Sequence, residues 1–364
     1  MRAAVVREPG SGFVTEEAEL AAPIGREVLV DIKASGLCHT DHAIARFGAG
    51  VAFPAVLGHE AAGVVVAVGP DVEEFTLGDH VVGCLVQSCG QCIPCRTGRS
   101  FQCDRPESTL RSEDQSPRVT VSGAAVTQAF GIGGFAQQAL IHENQLVKVD
   151  DRVPFPQAAL LGCGVVTGAG AVINTANTDV GDTVVIFGVG GVGLNAISGA
   201  VLAGASTIIA IDVIDEKLAK AKRFGATHTF NSNDVDVVAE VLAVSAGGAD
   251  SAFDFVGLPT VSRAALGMLR PGGGLYIVGS AGPTSAVEVN NLEMVLTQRR
   301  IQGVYMGSST PKRDIPQYAD LYLRGRLNLD DLVTRQISLD SINDGYDMLK
   351  EPGVTRVVIT EGLS

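Results

Sequence analysis

The chain has 364 residues, 46% of them apolar, with 44 glycines, no tryptophan and a formal net charge of −13. That length exceeds the usual single-domain range and predicts two domains. The acidic balance excludes a nucleic-acid partner, which needs a basic face, and favours solubility. The N-terminal stretch M-R-A-A-V-V-R-E-P-G is charged and has no apolar core of signal length. The longest uncharged stretch, 183–211, is broken by glycines, Asn195 and Ser198, so no membrane span is expected. An odd set of 7 cysteines fits a reducing compartment, and the cytoplasm is the expected location.

In chain order, the first half consists of short β-like runs broken by glycine and proline, at 27–32, 61–68 and 80–86. These predict an all-β lobe with a barrel-like or sandwich core. Within it, Cys89, Cys92, Cys95 and Cys103 lie in C-G-Q-C-I-P-C-R-T-G-R-S-F-Q-C. Four thiolates at that spacing can wrap one small ion at the ~2.3 Å zinc–sulfur distance. The alternative is disulfides, which would strain so tight a loop and need an oxidising compartment. A long polar connection follows at 105–124, carrying Arg105, Arg111 and Arg118.

From 165 to 305 apolar runs alternate with helical stretches, the signature of βαβ units and a parallel sheet. Strands are predicted at 183–187, 207–212, 251–255, 275–278 and 300–304, and helices at 192–202, 216–224 and 259–269. A last strand at 355–360 is placed to rejoin the β lobe. The turn Gly188-Val189-Gly190-Gly191-Val192-Gly193 holds G-x-G-x-x-G between a strand and a helix. There the glycines permit a tight turn, close approach of a pyrophosphate and close helix–strand packing. Asp212 ends the next strand about 20 residues on, where an acid bonds a ribose 2′-hydroxyl and repels a 2′-phosphate. NAD is therefore expected rather than NADP, with Lys217 within reach of the ribose edge. A bare glycine-rich turn is the plain alternative, and the strand–turn–helix context argues against it.

A dispersed set remains: Cys38 in G-L-C-H-T-D-H, His59 in G-H-E and Cys163 in G-C-G-V-V-T-G. Two thiolates and an imidazole with one open position suit Lewis-acid chemistry on an oxygen. Spacing alone does not join them, and each could be a buried cysteine or a satisfied histidine. Cys84 belongs to neither set and reads as a small buried hydrophobe.

G-H-E-A-A-G-V-V-V-A-V-G at 58–69, the four-cysteine lobe, G-C-G-V-V-T-G and G-V-G-G-V-G occur in that order. Together they resemble the zinc-dependent medium-chain alcohol dehydrogenases, including the class III and aryl-alcohol branches, over nearly the whole chain. The resemblance implies an α/β protein: a GroES-like all-β catalytic domain (1–164 and 306–364) with a zinc lobe (84–106), and a Rossmann doubly wound parallel-sheet coenzyme domain (165–305). It implies that Cys38, His59 and Cys163 hold a catalytic zinc, and Cys89, Cys92, Cys95 and Cys103 a structural one. Glu60 would sit behind the metal, and Asp41 would bond His59 and fix its tautomer. Thr40 would take the alcohol proton while hydride passes to NAD, giving aldehyde or ketone.

One departure concerns the proton route. Many relatives have a histidine five residues after the first cysteine ligand; here that position is Ala43, leaving His42 or water as the expected carrier. His39 resembles a basic residue on the coenzyme pyrophosphate, and Arg356 a second one from the tail. Leu85 and Phe135 are expected at the substrate pocket and Val278 near the nicotinamide. The expected substrate is a primary medium-chain or aromatic alcohol. The alternative is a formaldehyde–thiol adduct held by the arginines of 105–124. A metal-free reductase and a non-catalytic structural protein are the other readings, disfavoured by the intact ligand set. The resemblance further implies a dimer or tetramer, with the dimer preferred.

Overall fold

Alternating burial along residues 27–36 makes one long strand, Glu27–Gly36, the axis of the β lobe; Val28, Val30, Ile32 and Ala34 point inward. It pairs antiparallel with Glu60–Val68 on one side and with Gln138–His142 and Arg356–Glu361 on the other. Register shifts at Leu29/Val30 and Ile32/Ala34 bend it, as bulges do. His80–Gly83, Leu146–Lys148 and Val333–Ser338 complete a seven-stranded sheet. A second, six-stranded sheet of short strands forms around Arg2–Val6, closing on Ala3, Val5, Val56, Val119 and Val126. The tail strand thus rejoins the β lobe.

This is a computed structural model describing residues 1–282 and 284–363. The chain divides into two compact units, Met1–Cys163 with the segment from Thr310 onward, and Gly164–Ser309. The sequence placed these junctions at 164/165 and 305/306.

The second unit holds six parallel strands. Across the sheet they run His228–Asn231, Thr207–Asp212, Thr183–Phe187, Ala249–Asp254, Leu269–Ile277 and Arg300–Gly303. In order of appearance that is 3-2-1-4-5-6, the doubly wound order of dinucleotide-binding folds. Buried Val185, Phe187, Ile209, Ile211, Ala252 and Leu275 knit the sheet to its helices. The helix expected over 259–269 stops at Gly267, and Leu269 instead opens a strand. Pro271 cannot continue a helix there.

One helical run was not legible as an element. Residues Phe155–Thr175 form a helix long and apolar enough to cross a membrane by length and composition, yet 83% of its apolar window is buried within the protein. No element was expected over 155–175, whose glycines have poor helix propensity, and burial overrides that propensity. Two of its turns, Leu161–Val165 and Ala171–Thr175, are of the wider π type.

Candidate functional site

Three local devices deliver the first ligand set. The axial strand ends at Gly36, and Cys38 caps the start of the helix His39–Phe47 with extended backbone. That helix places Asp41 in its first turn, wholly buried. Asp41 Oδ2 lies 2.9 Å from His59 Nδ1, and its Oδ1 accepts the Gly58 N–H at 3.1 Å. His59 therefore turns Nε2 toward Cys163, 3.2 Å from its Sγ. Cys163 rides on the π turn Leu161–Val165, a distortion common at functional sites. Gly162 beside it has no room for a Cβ, which would strike the Gly83 carbonyl.

Donor atoms of Cys38, His59, Glu60 and Cys163 all lie within 4.8 Å of one another, and all four residues are buried. Soft thiolates with an imidazole form a donor set suited to zinc. The four groups perturb one another's ionisation, and Cys163 is pushed well up by the hydrogen bond with Cys38 and by burial. Cys38 is held well below the usual thiol range, chiefly by a hydrogen bond with Cys163 and despite burial, with His59 and Arg356 assisting. His59 is raised, because the Asp41 and Cys38 charges outweigh burial. Burial lifts Glu60 to about 7, opposed by Arg356. Glu60 occupies space that a Cβ on Gly36 would fill.

The second cysteine set is shallower. Cys89, Cys92, Cys95 and Cys103 gather their sulfurs within the same 4.8 Å limit, and none of them forms a disulfide. Backbone N–H groups of Gln91 and Cys92 point at Cys89 Sγ (3.4 and 3.3 Å), and those of Cys89 and Arg105 at Cys103 Sγ (3.2 and 3.4 Å). At Cys89 these bonds favour the thiolate, and its pKa falls to about 6, led by the Gln91 N–H, whereas burial pushes Cys103 up and Cys95 up to about 12.

The coenzyme turn keeps its glycines for separate reasons. Gly188 has φ +83°, a Cβ on Gly193 would collide with the Gly188 carbonyl, and a Cβ on Gly190 would meet nothing within 4 Å. The space over Gly190 is where a pyrophosphate can approach the start of the helix Gly191–Ala203. Asp212 accepts N–H bonds from Val189 at 2.9 Å, Val213 at 2.8 Å and Ile214 at 3.2 Å, which fixes its carboxylate beside the turn. Lys217 is half-buried on the following helix. Val278 is half-buried just past its strand, its N–H bonded to the Asp254 carbonyl at 2.9 Å.

His39 and Thr40 are exposed at the start of their helix. His42 packs against Tyr346 with ring centroids 4.8 Å apart and planes tilted by 35°, and burial first, then Lys350 and Arg46, lowers its pKa. Two residues along a helix turn a side chain by about 200°, so His42 faces away from Thr40 and is not placed to carry its proton. Phe135 is also corrected: it is wholly buried, 5.7 Å from Phe13, with its N–H bonded to the Leu57 carbonyl, and belongs to the lobe's core. Leu85 is nearly as buried. Arg356 is buried with Nη1 3.2 Å from Glu60 Oε1, a partner the sequence did not suggest.

In the 105–124 connection, Arg111 and Arg118 both bind the Glu27 carboxylate, at 2.5 and 2.7 Å. The sequence also missed Phe130, whose ring meets His59 edge-on with centroids 5.6 Å apart. Nothing in A-F-G-I-G-G marks that contact, which only the folded chain creates.

Fold and ligand geometry together define a zinc-binding dehydrogenase, and the chain belongs to the zinc-dependent medium-chain alcohol dehydrogenases. The alcohol dehydrogenase GroES-like domain matches residues 25–151, and the zinc-binding dehydrogenase domain matches residues 191–324. The S-(hydroxymethyl)glutathione dehydrogenase of Paracoccus denitrificans is 36% identical, over 98% of this chain and 99% of its own. The NDMA-dependent alcohol dehydrogenase of Amycolatopsis methanolica is 38% identical, over 98% of each. The crystal structure of benzyl alcohol dehydrogenase from Acinetobacter calcoaceticus superimposes with TM-score 0.93 at 34% identity, covering 99% of both chains. The protein is thus an NAD(P)-dependent oxidoreductase.

Proposed function

We propose that this enzyme oxidises primary alcohols, medium-chain or aromatic, to aldehydes with NAD, and that each chain binds one catalytic and one structural zinc. The buried Cys38, His59 and Cys163 donor set carries the reading. When bound, zinc acidifies the substrate hydroxyl and NAD accepts the hydride. Thr40, exposed two residues past Cys38, accepts the hydroxyl proton by hydrogen bond and passes it to solvent water. Asp41 holds His59 with Nε2 toward the metal. Glu60 and Arg356 offset each other's charge beside the donor set. Asp212 selects NAD by accepting the ribose 2′-hydroxyl and repelling a 2′-phosphate.

Engagement of Arg111 and Arg118 by Glu27 favours a free alcohol, because it removes two of the cations a thiol adduct would need. A formaldehyde–thiol adduct is the second reading, supported by the Paracoccus relative. NADH formation across aliphatic and benzylic alcohols, and across formaldehyde with and without glutathione, separates the two. Turnover of free alcohols, steepest for long or aromatic chains, is expected; turnover of the formaldehyde–glutathione mixture alone would overturn it.

We also propose a homodimer. The strand Arg300–Gly303 is an outer strand of its sheet, and the neighbouring helix Asn291–Thr297 exposes Leu292, Val295 and Leu296 by 66, 72 and 74%. An open edge beside an apolar patch suits pairing about a two-fold axis.

A further inference from the structure

Phe130 forms a wall of the metal centre to which the mechanism above gives no task. Its backbone is left-handed, at φ 54° and ψ 14°. An aromatic residue adopts that conformation only where its surroundings compel it. Gln145 supplies the compulsion. It is wholly buried on the turn Glu143–Gln145. Its Nε2 donates to the Phe130 carbonyl at 2.8 Å and to the Cys84 carbonyl at 3.3 Å. Two carbonyl acceptors leave the amide a single sensible orientation. Gly131 is fitted to the same amide: its φ is +72°, and a Cβ there would lie 2.7 Å from Gln145 Oε1. Two consecutive residues are thus shaped around one buried side chain.

The consequence falls on His59. Its Nδ1 meets Asp41 Oδ2 at 2.9 Å and its Nε2 lies 3.2 Å from Cys163 Sγ, and neither contact stops the ring from pivoting about the line between them. The Phe130 ring stands at 78° to the imidazole and opposes the pivot. We propose that Phe130 is a positioning residue for His59, locked by Gln145, so that amide, phenyl ring and imidazole set the direction of Nε2 together. This rests on reading Cys38, His59 and Cys163 as metal ligands.

Cobalt(II) substituted into the full-length protein reports ligand geometry through its visible d–d bands, and Cys163→Ser identifies which bands belong to this centre. Phe130→Leu and Gln145→Leu should each shift those bands and speed loss of that metal to a chelator about tenfold, the scale expected when a group that orients a ligand is removed. Phe130→Tyr, which keeps the ring, should retain wild-type bands and rate. The tetracysteine metal should stay bound in all three variants. A folded Phe130→Leu variant with unchanged bands and release rate would overturn the proposal, even if Gln145→Leu failed to fold. Wild-type protein without Cys163-dependent bands would overturn the metal assignment itself, and the proposal with it.

Discussion

The proposed preference for NAD and one pH response each turn on a single residue. Asp212 is fixed by three backbone N–H groups, so its charge cannot swing away from an approaching 2′-phosphate. Asp212→Ala should raise the KM for NAD about tenfold, the cost of one charged hydrogen bond, and admit NADP; steady-state kinetics with both coenzymes checks this. His142 is held down to about 4 from its ordinary 6.5, by burial first and then by Arg26 and Arg118. Its neutral ring accepts the Asn144 N–H at 3.1 Å. Because the folded value is depressed, the stability it contributes is full above pH 6.5 and is lost as pH falls through about 4. Thermal melts should show wild type above His142→Gln at pH 7, with the gap closing toward pH 4.

At the scale of elements, two junctions set the metal centre's geometry and the lobe's stability. The π turn Leu161–Val165 fits against the Gly83 carbonyl only because Gly162 lacks a Cβ. Gly162→Ala should push Cys163 away, costing about 1–3 kcal/mol and releasing metal from the proposed catalytic site while the proposed tetracysteine site keeps its own; metal analysis after dialysis tests it. Glu27 ties the start of the axial strand to the 105–124 connection through Arg111 and Arg118, with the three side chains only 5–7% exposed. Glu27→Ala leaves two arginines uncompensated and should destabilise by about 3 kcal/mol, read as a lower midpoint in urea. The sequence showed these arginines but not their partner, because residues 27 and 118 meet only through folding.

For the whole molecule, the expected dimer places Leu292, Val295 and Leu296 against their copies. Leu296→Glu should convert the dimer to a monomer in size-exclusion chromatography with light scattering, whereas a monomeric wild type would refute the interface. The sequence by itself determined the parts whose cause is local. Short β-like runs broken by glycine and proline marked strands, the glycines of 188–193 a phosphate turn, and close cysteine spacing the tetrathiolate lobe. Tertiary structure decided what depends on distant segments meeting. It brought Cys163 to His59, Arg356 to Glu60 and Phe130 to His59, and it turned Phe135 and His42 away from the roles expected of them. The physical reason is that burial and side-chain direction are properties of packed surfaces, and a linear pattern carries them only where one element supplies both partners.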